Sequence, residues 1–396
     1  MQKPVVCHLV ERLSYGGAEM LVHRFARGMR TGGYEPLVCC LQDGPLRPLI
    51  EADGIRVECL GLPRRSILDG PAFAAFGVTV LARLVRLFRR RQVSLVHAHL
   101  PDSIIWAALA GTLSGTPVIG TYHGLAILPA GRHAFDPRNR LRALMYRIAE
   151  RLSDRTIAVS GPVRDLLCRE MGFTAQKTVL LVNGIDTAAF GGARDDTLVR
   201  AELGLEGRRV ITCIGRLVDN KGQQYLIEAM RDVVQSHPAA ALLLVGDGPA
   251  LEPLRALAQR LQIADTVRFA GSRTDVPEIL ALTEVFVLPS FYEGIPLALV
   301  EAMAANRPVI ATSVPGNLDV IGDDGCGLLV PPKDAAALAG AIAGLLDDPP
   351  RARAMAARGR ARARRDFDLR RALAAMEALY DDVLAGRARR PARAAV

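Results

Sequence analysis

Short apolar runs alternate along the whole chain with longer segments of helical period, and this rhythm restricts the fold more than any other feature of the sequence. Val5 to Val10 reads as a strand, Ala18 to Arg30 as a helix and Leu37 to Leu41 as the next strand. Val93 to His97, Val118 to Tyr122 and Thr156 to Val159 continue the series. Such alternation predicts a parallel sheet with helices on both faces. After Asn183-Gly184-Ile185-Asp186 the pattern gives way to a polar, glycine-containing stretch reaching about Arg208. It restarts at Val210 to Ile214 and runs through Leu242 to Val245, Thr266 to Phe269, Val285 to Leu288, Val309 to Ala311 and Gly327 to Val330. At 396 residues the chain exceeds what one core usually supports. The expectation is an α/β protein of two doubly wound domains facing each other, residues 1–190 and 191–365. The segment 366–396 forms a last helix and a basic tail, with Leu369, Leu373, Met376, Leu379 and Leu384 at helical spacing. No tandem period of solenoid type is visible.

Charge is unevenly spread. Residues 1–185 carry 24 Lys and Arg against 14 Asp and Glu, residues 186–350 carry 13 against 22, and the last 46 carry 13 against 5. Basic ends attract anionic lipid, lipid-linked phosphate or nucleic acid through the same long-range field. The seven cysteines are odd in number and form no CxxC pair, and several sit in strand-like apolar runs, which suits a reducing cytosol. MQKPVVCHLV enters a strand directly, without the regions of a signal peptide. No apolar stretch reaches the ~18 residues of a spanning helix. A cytoplasmic protein is expected.

The strongest local signal is Phe291-Tyr292-Glu293-Gly294-Ile295-Pro296-Leu297-Ala298-Leu299-Val300-Glu301, which follows the strand Val285 to Leu288. Gly294 and Pro296 form a loop that opens a helix near Leu297, where free backbone N–H groups can meet an anion. Glu293 lies in the loop and Glu301 about two turns on. Carboxylates accept well from vicinal hydroxyls, so a phosphate cradle between two glutamates suits a nucleotide sugar. The plainer alternative makes Glu301 a solvated helix residue and Glu293 a complement to the helix dipole. A second signal, Ile214-Gly215-Arg216-Leu217-Val218-Asp219-Asn220-Lys221-Gly222, lies at the end of a strand, where open α/β sheets bind ligands. Arg216 and Lys221 there can match a diphosphate without a metal, or can be ordinary turn residues. Gly246-Asp247-Gly248-Pro249 and Gly271-Ser272-Arg273 are further strand-to-glycine turns that let a nucleotide approach the backbone.

Together, Gly215-Arg216 with Lys221, Gly246-Asp247-Gly248-Pro249 and Glu293 paired with Glu301-Ala302-Met303-Ala304 resemble the GT-B glycosyltransferases of family 4, the bacterial group 1 glycosyltransferases. In the N-terminal half the resemblance includes Gly16-Gly17-Ala18-Glu19, Val96-His97-Ala98-His99, Thr121-Tyr122-His123-Gly124, Val159-Ser160 and Asn183-Gly184-Ile185-Asp186. It covers nearly the whole chain. It implies two facing Rossmann-like domains, N-terminal for the acceptor and C-terminal for the nucleotide-sugar donor, with the C-terminal helix crossing back to the N-terminal domain. It further implies a retaining transfer of a hexose-type sugar, UDP favoured, to a glycan or lipid-linked acceptor in polysaccharide or exopolysaccharide assembly. Arg216 and Lys221 would bind the donor diphosphate, Glu301 the ribose and Glu293 the donor sugar. Gly294, Ile295, Leu297, Gly16 and Gly17 would approach phosphate oxygens, with Gly246, Gly271, Ser272 and Arg273 completing the donor site. His123, with Glu293, Arg216 and Lys221, would carry catalysis by positioning and charge stabilisation, and no side chain would act as nucleophile. His97, His99 and Tyr122 would join His123 on the acceptor side.

No cofactor beyond the nucleotide-sugar co-substrate is expected. His97 and His99 share a strand face with His123 nearby, but nothing completes a tetrahedral set, and a hydrogen-bonded histidine in a cleft or core is commoner than a ligand. The sole DxD, Asp366-Phe367-Asp368, lies in the arginine-rich tail and not after a strand of the nucleotide half, so Mg²⁺ should be dispensable. The basic amphipathic segments Leu81 to Arg91 and Arg138 to Arg151 suit an anionic membrane surface, which implies peripheral attachment to the inner face of the cytoplasmic membrane. They equally fit a solvated arginine face over a core stripe. Two other readings stand beside the transferase. One is a non-transferring GT-B nucleotide-sugar epimerase or hydrolase. The other, a nucleic-acid-binding protein, is disfavoured by 5% aromatic residues and the lack of a recognition motif.

Overall fold

In a computed structural model, residues 3–62, 71–124, 137–192 and 194–388 are described. The chain divides into two compact units, Met1–Asn183 with Arg370–Val396, and Gly184–Leu369. Each is an α/β layer structure around a parallel sheet, as the alternation of short apolar runs and helical segments requires.

Among its described residues the first unit holds a seven-stranded sheet of β1 (Val5–Arg12), β2 (Glu35–Gln42), β3 (Arg56–Cys59), β4 (Val93–His99), β5 (Val118–Tyr122), β6 (Arg155–Ala158) and β7 (Thr178–Leu180), in the order β3-β2-β1-β4-β5-β6-β7. All of its strand pairs are parallel. β3 and β7 have no counterpart in the sequence reading, and both are edge strands. An edge strand needs no long apolar run, so the mixed Arg56-Val57-Glu58-Cys59 gives little signal. Central β1 is buried from Val6 to Val10, with Cys7 packed as a small hydrophobe beside Cys39. All seven cysteines are free thiols.

The helix Leu369–Ala388 packs on this first unit. Gly28 and Gly32 make room for it: a Cβ on Gly28 would lie 2.3 Å from Leu373 Cδ1, and one on Gly32 2.1 Å from Glu377 Oε1. Arg387 grips Asp154 through two 2.9 Å bonds, Arg155 meets Asp382 at 2.8 Å and Tyr34 donates to Asp381. Its deepest anchor is Tyr380, fully buried, whose Oη lies 2.6 Å from His97 Nδ1.

The second unit holds, among its described residues, six parallel strands: β8 (Arg209–Ile214), β9 (Ala240–Val245), β10 (Val267–Phe269), β11 (Thr283–Leu288), β12 (Val309–Thr312) and β13 (Leu328–Val330). Their order is β10-β9-β8-β11-β12-β13. β9 is buried at every position, and Leu226, Ile227 and Met230 of the helix Gln223–Ser236 join it in one core with Leu338 and Ile342 of the helix Ala335–Asp347. The tail motif Asp366-Phe367-Asp368 closes this unit. Ile185 N–H donates to Phe367 O and Leu369 N–H to Ile185 O, both at 2.8 Å, and Thr187 Oγ1 donates to buried Asp368 at 2.8 Å. These bonds place residues 184–190 in the second unit, although their Asn-Gly-Ile-Asp motif reads in the sequence as the end of the first.

Replacing Tyr380 with Phe leaves His97 Nδ1 unpaired in the core. The expected loss is about 1–3 kcal/mol of unfolding free energy by chemical denaturation, and an unchanged denaturation midpoint would show that the bond contributes nothing.

Candidate functional site

In the second unit the strand order reverses between β8 and β11, so the loops leaving these neighbours diverge and open a crevice at their carboxyl ends, the usual ligand position in an open parallel sheet. The loop after β8 carries Gly215, Arg216 and Lys221; the loop after β11 carries Glu293 to Leu297. Three contacts join them. Phe291 N–H donates to Asn220 O at 2.9 Å, Lys221 Nζ meets Glu293 Oε1 at 2.6 Å, and Gly222 passes so close that a Cβ would stand 2.2 Å from Pro289 O. Gly222 is also left-handed, with φ of 67°. The ion pair is largely withdrawn from water, its side chains 21% and 10% exposed. Two expected ligand groups, an ammonium for phosphate and a carboxylate for sugar hydroxyls, are thus held by each other, and the lysine has two N–H donors left.

The helix Leu297–Ala304 starts at Pro296, and among the described residues the N–H groups of Gly294, Ile295 and Leu297 find no acceptor. They are the orphan donors of a helix start and suit an anion. Glu301, one turn further in, is buried. Arg216 is exposed and has no carboxylate partner among the described residues, while its carbonyl is fixed at 2.9 Å by Gln223 Nε2.

Gly246, Gly271, Ser272 and Arg273 read differently in three dimensions. A Cβ on Gly246 would stand 2.0 Å from Gly215 O, and its N–H donates to Gly271 O at 2.7 Å, so Gly246 and Gly271 support the β8 loop. Ser272 is exposed. Arg273 is already filled by carboxylates: Asp275 at 2.7 and 2.9 Å and Glu202 at 2.9 Å, which raise its pKa. Its charge, expected at the donor site, is matched within the protein.

Sequence reasoning missed the floor of the site. Gly316 opens the helix Pro315–Ile321 directly under the loop, where a Cβ would lie 2.3 Å from Gly294 O and 2.6 Å from Glu293 O. Next to it, buried Asn317 donates to Thr312 O at 2.9 Å, and Thr312 Oγ1 donates to Ser290 O. Pro315-Gly316-Asn317 after the strand Val309 to Ala311 was the available signal, a strand-to-glycine turn like the others.

The first unit has the same reversal between β1 and β4. Gly16 caps the helix Gly17–Met29, and a Cβ on Gly17 would meet nothing within 4 Å. Parallel register sets His8 of β1 against His97 of β4, and His99 against Thr121 of β5. With period-2 alternation, His8, His97, His99 and His123 fall on one face. His8 Nδ1 lies 3.1 Å from His99 Nε2, and His99 Nδ1 lies 3.2 Å from His123 Nε2. One ring nitrogen from each of His8, His97 and His99 lies within 4.8 Å of the other two, a cluster to which the sequence reading contributed only two members. Hydrogen bonds already use both nitrogens of His97, at 2.6 Å to Tyr380 and 2.6 Å to Thr121. Burial pushes His8 and His123 down to about 4 and His97 and His99 well below their ordinary value. His97 and His99 are fully buried, as is Tyr122, which packs its ring edge-on against Phe173. These three, expected on the acceptor side, lie in the core, and His123 alone of the four is partly exposed. Immediately after His99, Leu100 has φ of 71° and ψ of 148°, a backbone region nearly reserved for glycine.

Residues 195–362 match the family described as glycosyl transferases group 1, and residues 15–189 the family described as glycosyltransferase family 4. The chain is 32% identical to the GDP-mannose-dependent α-(1-6)-phosphatidylinositol monomannoside mannosyltransferase of Mycobacterium tuberculosis, over 72% of this chain and 74% of that one. It is 27% identical to the UDP-Gal:α-D-GlcNAc-diphosphoundecaprenol α-1,3-galactosyltransferase of Escherichia coli, over 78% and 79%. Among solved structures, HepE of Anabaena in complex with UDP and glucose superposes with a TM-score of 0.82 at 23% identity, covering 95% of this chain and 99% of that one, a likeness of fold.

Two outcomes are expected from this geometry. Gly316→Ala forces the Glu293–Gly294 backbone to move and lowers unfolding free energy by about 1–3 kcal/mol. Gly340→Ala, in open space on a helix, serves as the control and leaves stability equal or slightly higher; equal behaviour of the two variants would contradict the packing. The histidines have folded pKa values below the unfolded value of 6.5, so between pH 6.5 and 5 the unfolded chain binds more protons than the native one. Their contribution is complete above pH 6.5 and is lost as pH falls, by about 1.4 kcal/mol per pH unit for each histidine fully protonated only when unfolded. Denaturation midpoints that stay level across this window would contradict four neutral rings held in the native state.

Proposed function

Because the chain belongs to the group 1 glycosyltransferases of family 4, we propose that it transfers a hexose-type sugar, with retention of configuration, from a nucleoside-diphosphate sugar to a glycan or lipid-linked acceptor. The observation that carries this reading is the tied pair of loops at the β8–β11 reversal. They bring an exposed arginine, a lysine–glutamate pair, three unpaired backbone N–H groups and a buried glutamate to the carboxyl ends of two adjacent strands. That array matches a diphosphate flanked by hydroxylated rings. Arg216 and Lys221 take the diphosphate, the N–H groups of Gly294, Ile295 and Leu297 its oxygens, Glu301 the ribose and Glu293 the sugar. UDP is the favoured nucleotide; the Escherichia coli relative named above is a UDP-galactose enzyme.

Negative charge grows on the leaving diphosphate in the transition state, and cations fixed beforehand at that position stabilise it more than they stabilise the ground state. Lys221 is suited to this because Glu293 holds its ammonium in place in a half-buried setting, where charge interactions are stronger than in water. A leaving-group oxygen can accept the acceptor hydroxyl's proton as the acceptor oxygen bonds to the anomeric carbon on the face the diphosphate leaves, so neither a protein base nor a protein nucleophile is needed. Two cationic side chains and the loop N–H groups supply the neutralisation otherwise given by Mg²⁺, and the reaction proceeds without a metal. The first unit binds the acceptor and supplies His123.

The proposal extends to a membrane surface. Among the described residues no helix is long and apolar enough to cross a membrane. Exposed Val78 lies in a shallow groove with Leu81, Ala82, Val85, Arg86 and Leu113. Leu141, Leu144 and Ile148 form an exposed stripe on the helix Pro137–Leu152 beside Arg142 and Arg151. Each is an apolar strip edged with arginine, as an interfacial helix requires. Arg138, at the start of the second basic segment, lies where only the backbone is described.

Lys221→Ala is expected to lower turnover of a UDP-sugar by roughly 10²–10³-fold, with EDTA leaving the wild-type rate unchanged and proton NMR giving an α-product from an α-donor. Near-normal turnover in the variant, dependence on a divalent ion or a β-product each contradicts the corresponding part. Flotation with anionic vesicles but not neutral ones tests the membrane surface; equal behaviour with both removes it.

A further inference from the structure

Three of these imidazoles form an end-to-end chain whose direction is set at one end. His8 Nδ1 stands 3.1 Å from His99 Nε2, His99 Nδ1 stands 3.2 Å from His123 Nε2, and His8 Nε2 stands 3.3 Å from Met29 Sδ. Burial keeps all three rings uncharged at neutral pH, so each carries a single N–H. A neutral imidazole has one donor and one acceptor nitrogen, so the protons of such a chain must all point one way or all the other. The thioether of Met29 can accept a hydrogen bond and has no proton to give. It therefore selects the state with the His8 proton on Nε2. His8 Nδ1 is then bare and accepts from His99 Nε2–H, and His99 Nδ1 is bare and accepts from His123 Nε2–H. The reverse sense would set the lone pairs of His8 Nε2 and Met29 Sδ against each other in the core, an arrangement with no compensating bond.

We infer that Met29, His8 and His99 are positioning residues that hold His123 as its Nε2–H tautomer and leave Nδ1 as the bare nitrogen available to a ligand. Among the described residues His123 Nδ1 has no hydrogen-bond partner. The second nitrogen of a histidine is commonly assigned by the bond its first one makes, and here that assignment is passed through three rings from a methionine in the helix Gly17–Met29. His97 stands outside the chain: its ring centre is 4.1 Å from that of His99, but its two nitrogens are bonded to Tyr380 and Thr121. The chemical consequence is selective. A group that meets His123 Nδ1 must donate, so a sugar hydroxyl fits and a uronic-acid carboxylate does not. That selectivity rests on the proposed placing of His123 beside the transferred sugar; the tautomer does not.

The test is long-range ¹H–¹⁵N correlation NMR of the full chain with ¹⁵N-labelled histidine at neutral pH, its signals assigned by single His→Gln substitutions. The expected pattern is Nε2–H for His8, His99 and His123; an Nδ1–H pattern for His123 overturns the inference. Met29→Leu, close in volume but without an acceptor, is expected to give His123 a second set of signals of the Nδ1–H form, and a single unchanged Nε2–H form overturns Met29 as the anchor. Neither readout needs a substrate. Absence of sugar transfer would therefore remove the transferase reading alone, and a wrong tautomer would remove this inference alone.

Discussion

Two loops that leave adjacent strands in opposite directions separate unless something joins them, and in the second unit the Lys221–Glu293 ion pair is the joint. Its surroundings are arranged to keep it short. Gly222 and Gly246 let backbone approach backbone more closely than a Cβ would permit, at Pro289 O and at Gly215 O, and Gly316 does the same beneath Glu293 and Gly294. The backbone bond from Phe291 to Asn220 fixes the same two loops at a second point. A half-buried pair of this kind adds little to net stability once desolvation is counted. Its value lies in orientation, because it fixes a cation and a carboxylate in a crevice before any ligand arrives.

The first unit applies a different solution to its own strand reversal. In place of an ion pair, neutral polar rings occupy the core, and every nitrogen of His8, His97 and His99 is matched with a nitrogen, a hydroxyl or a sulfur. Low dielectric strengthens such a network when it is satisfied and makes any gap expensive. Tyr380 links it to the last helix, so that a residue near the end of the chain completes a cluster begun at residue 8. The strained Leu100 sits at the end of the same strand, where two histidines must face inward before the chain turns into the helix Pro101–Ser114.

The legible parts of this architecture were those written in local periodicity. β5 and the opening of the helix at Leu297 fall where the sequence put them, and central strands such as β1 and β8 differ by a residue or two at their ends. β3 and β7 escaped because an edge strand is buried on one side only, and Thr178–Leu180 is three residues long. Candidate residues at the crevice were legible when a motif followed a strand, as at Arg216, Lys221, Glu293 and Glu301. Their mutual contacts were not, since the 2.6 Å pairing of Lys221 with Glu293 spans 72 residues and depends on strand order. The carboxylate partners of Arg273 were not legible, because Gly271-Ser272-Arg273 reads as a strand-to-glycine turn, while Glu202 lies 71 residues away on the helix Thr197–Leu203. His8 lay in a strand with no motif around it, and only the β1–β4 register shows that it faces His97 and joins His99.

The central claim is that the second unit's crevice is built for a nucleoside diphosphate and needs no metal. The direct measurement is the thermal unfolding of the full chain with UDP, GDP and ADP, each with and without EDTA, because a ligand that binds only the native state raises the midpoint by mass action. A rise with one nucleoside diphosphate that survives EDTA and disappears in Glu301→Ala is the result this account requires. No rise with any of the three, or a rise abolished by EDTA, would contradict it.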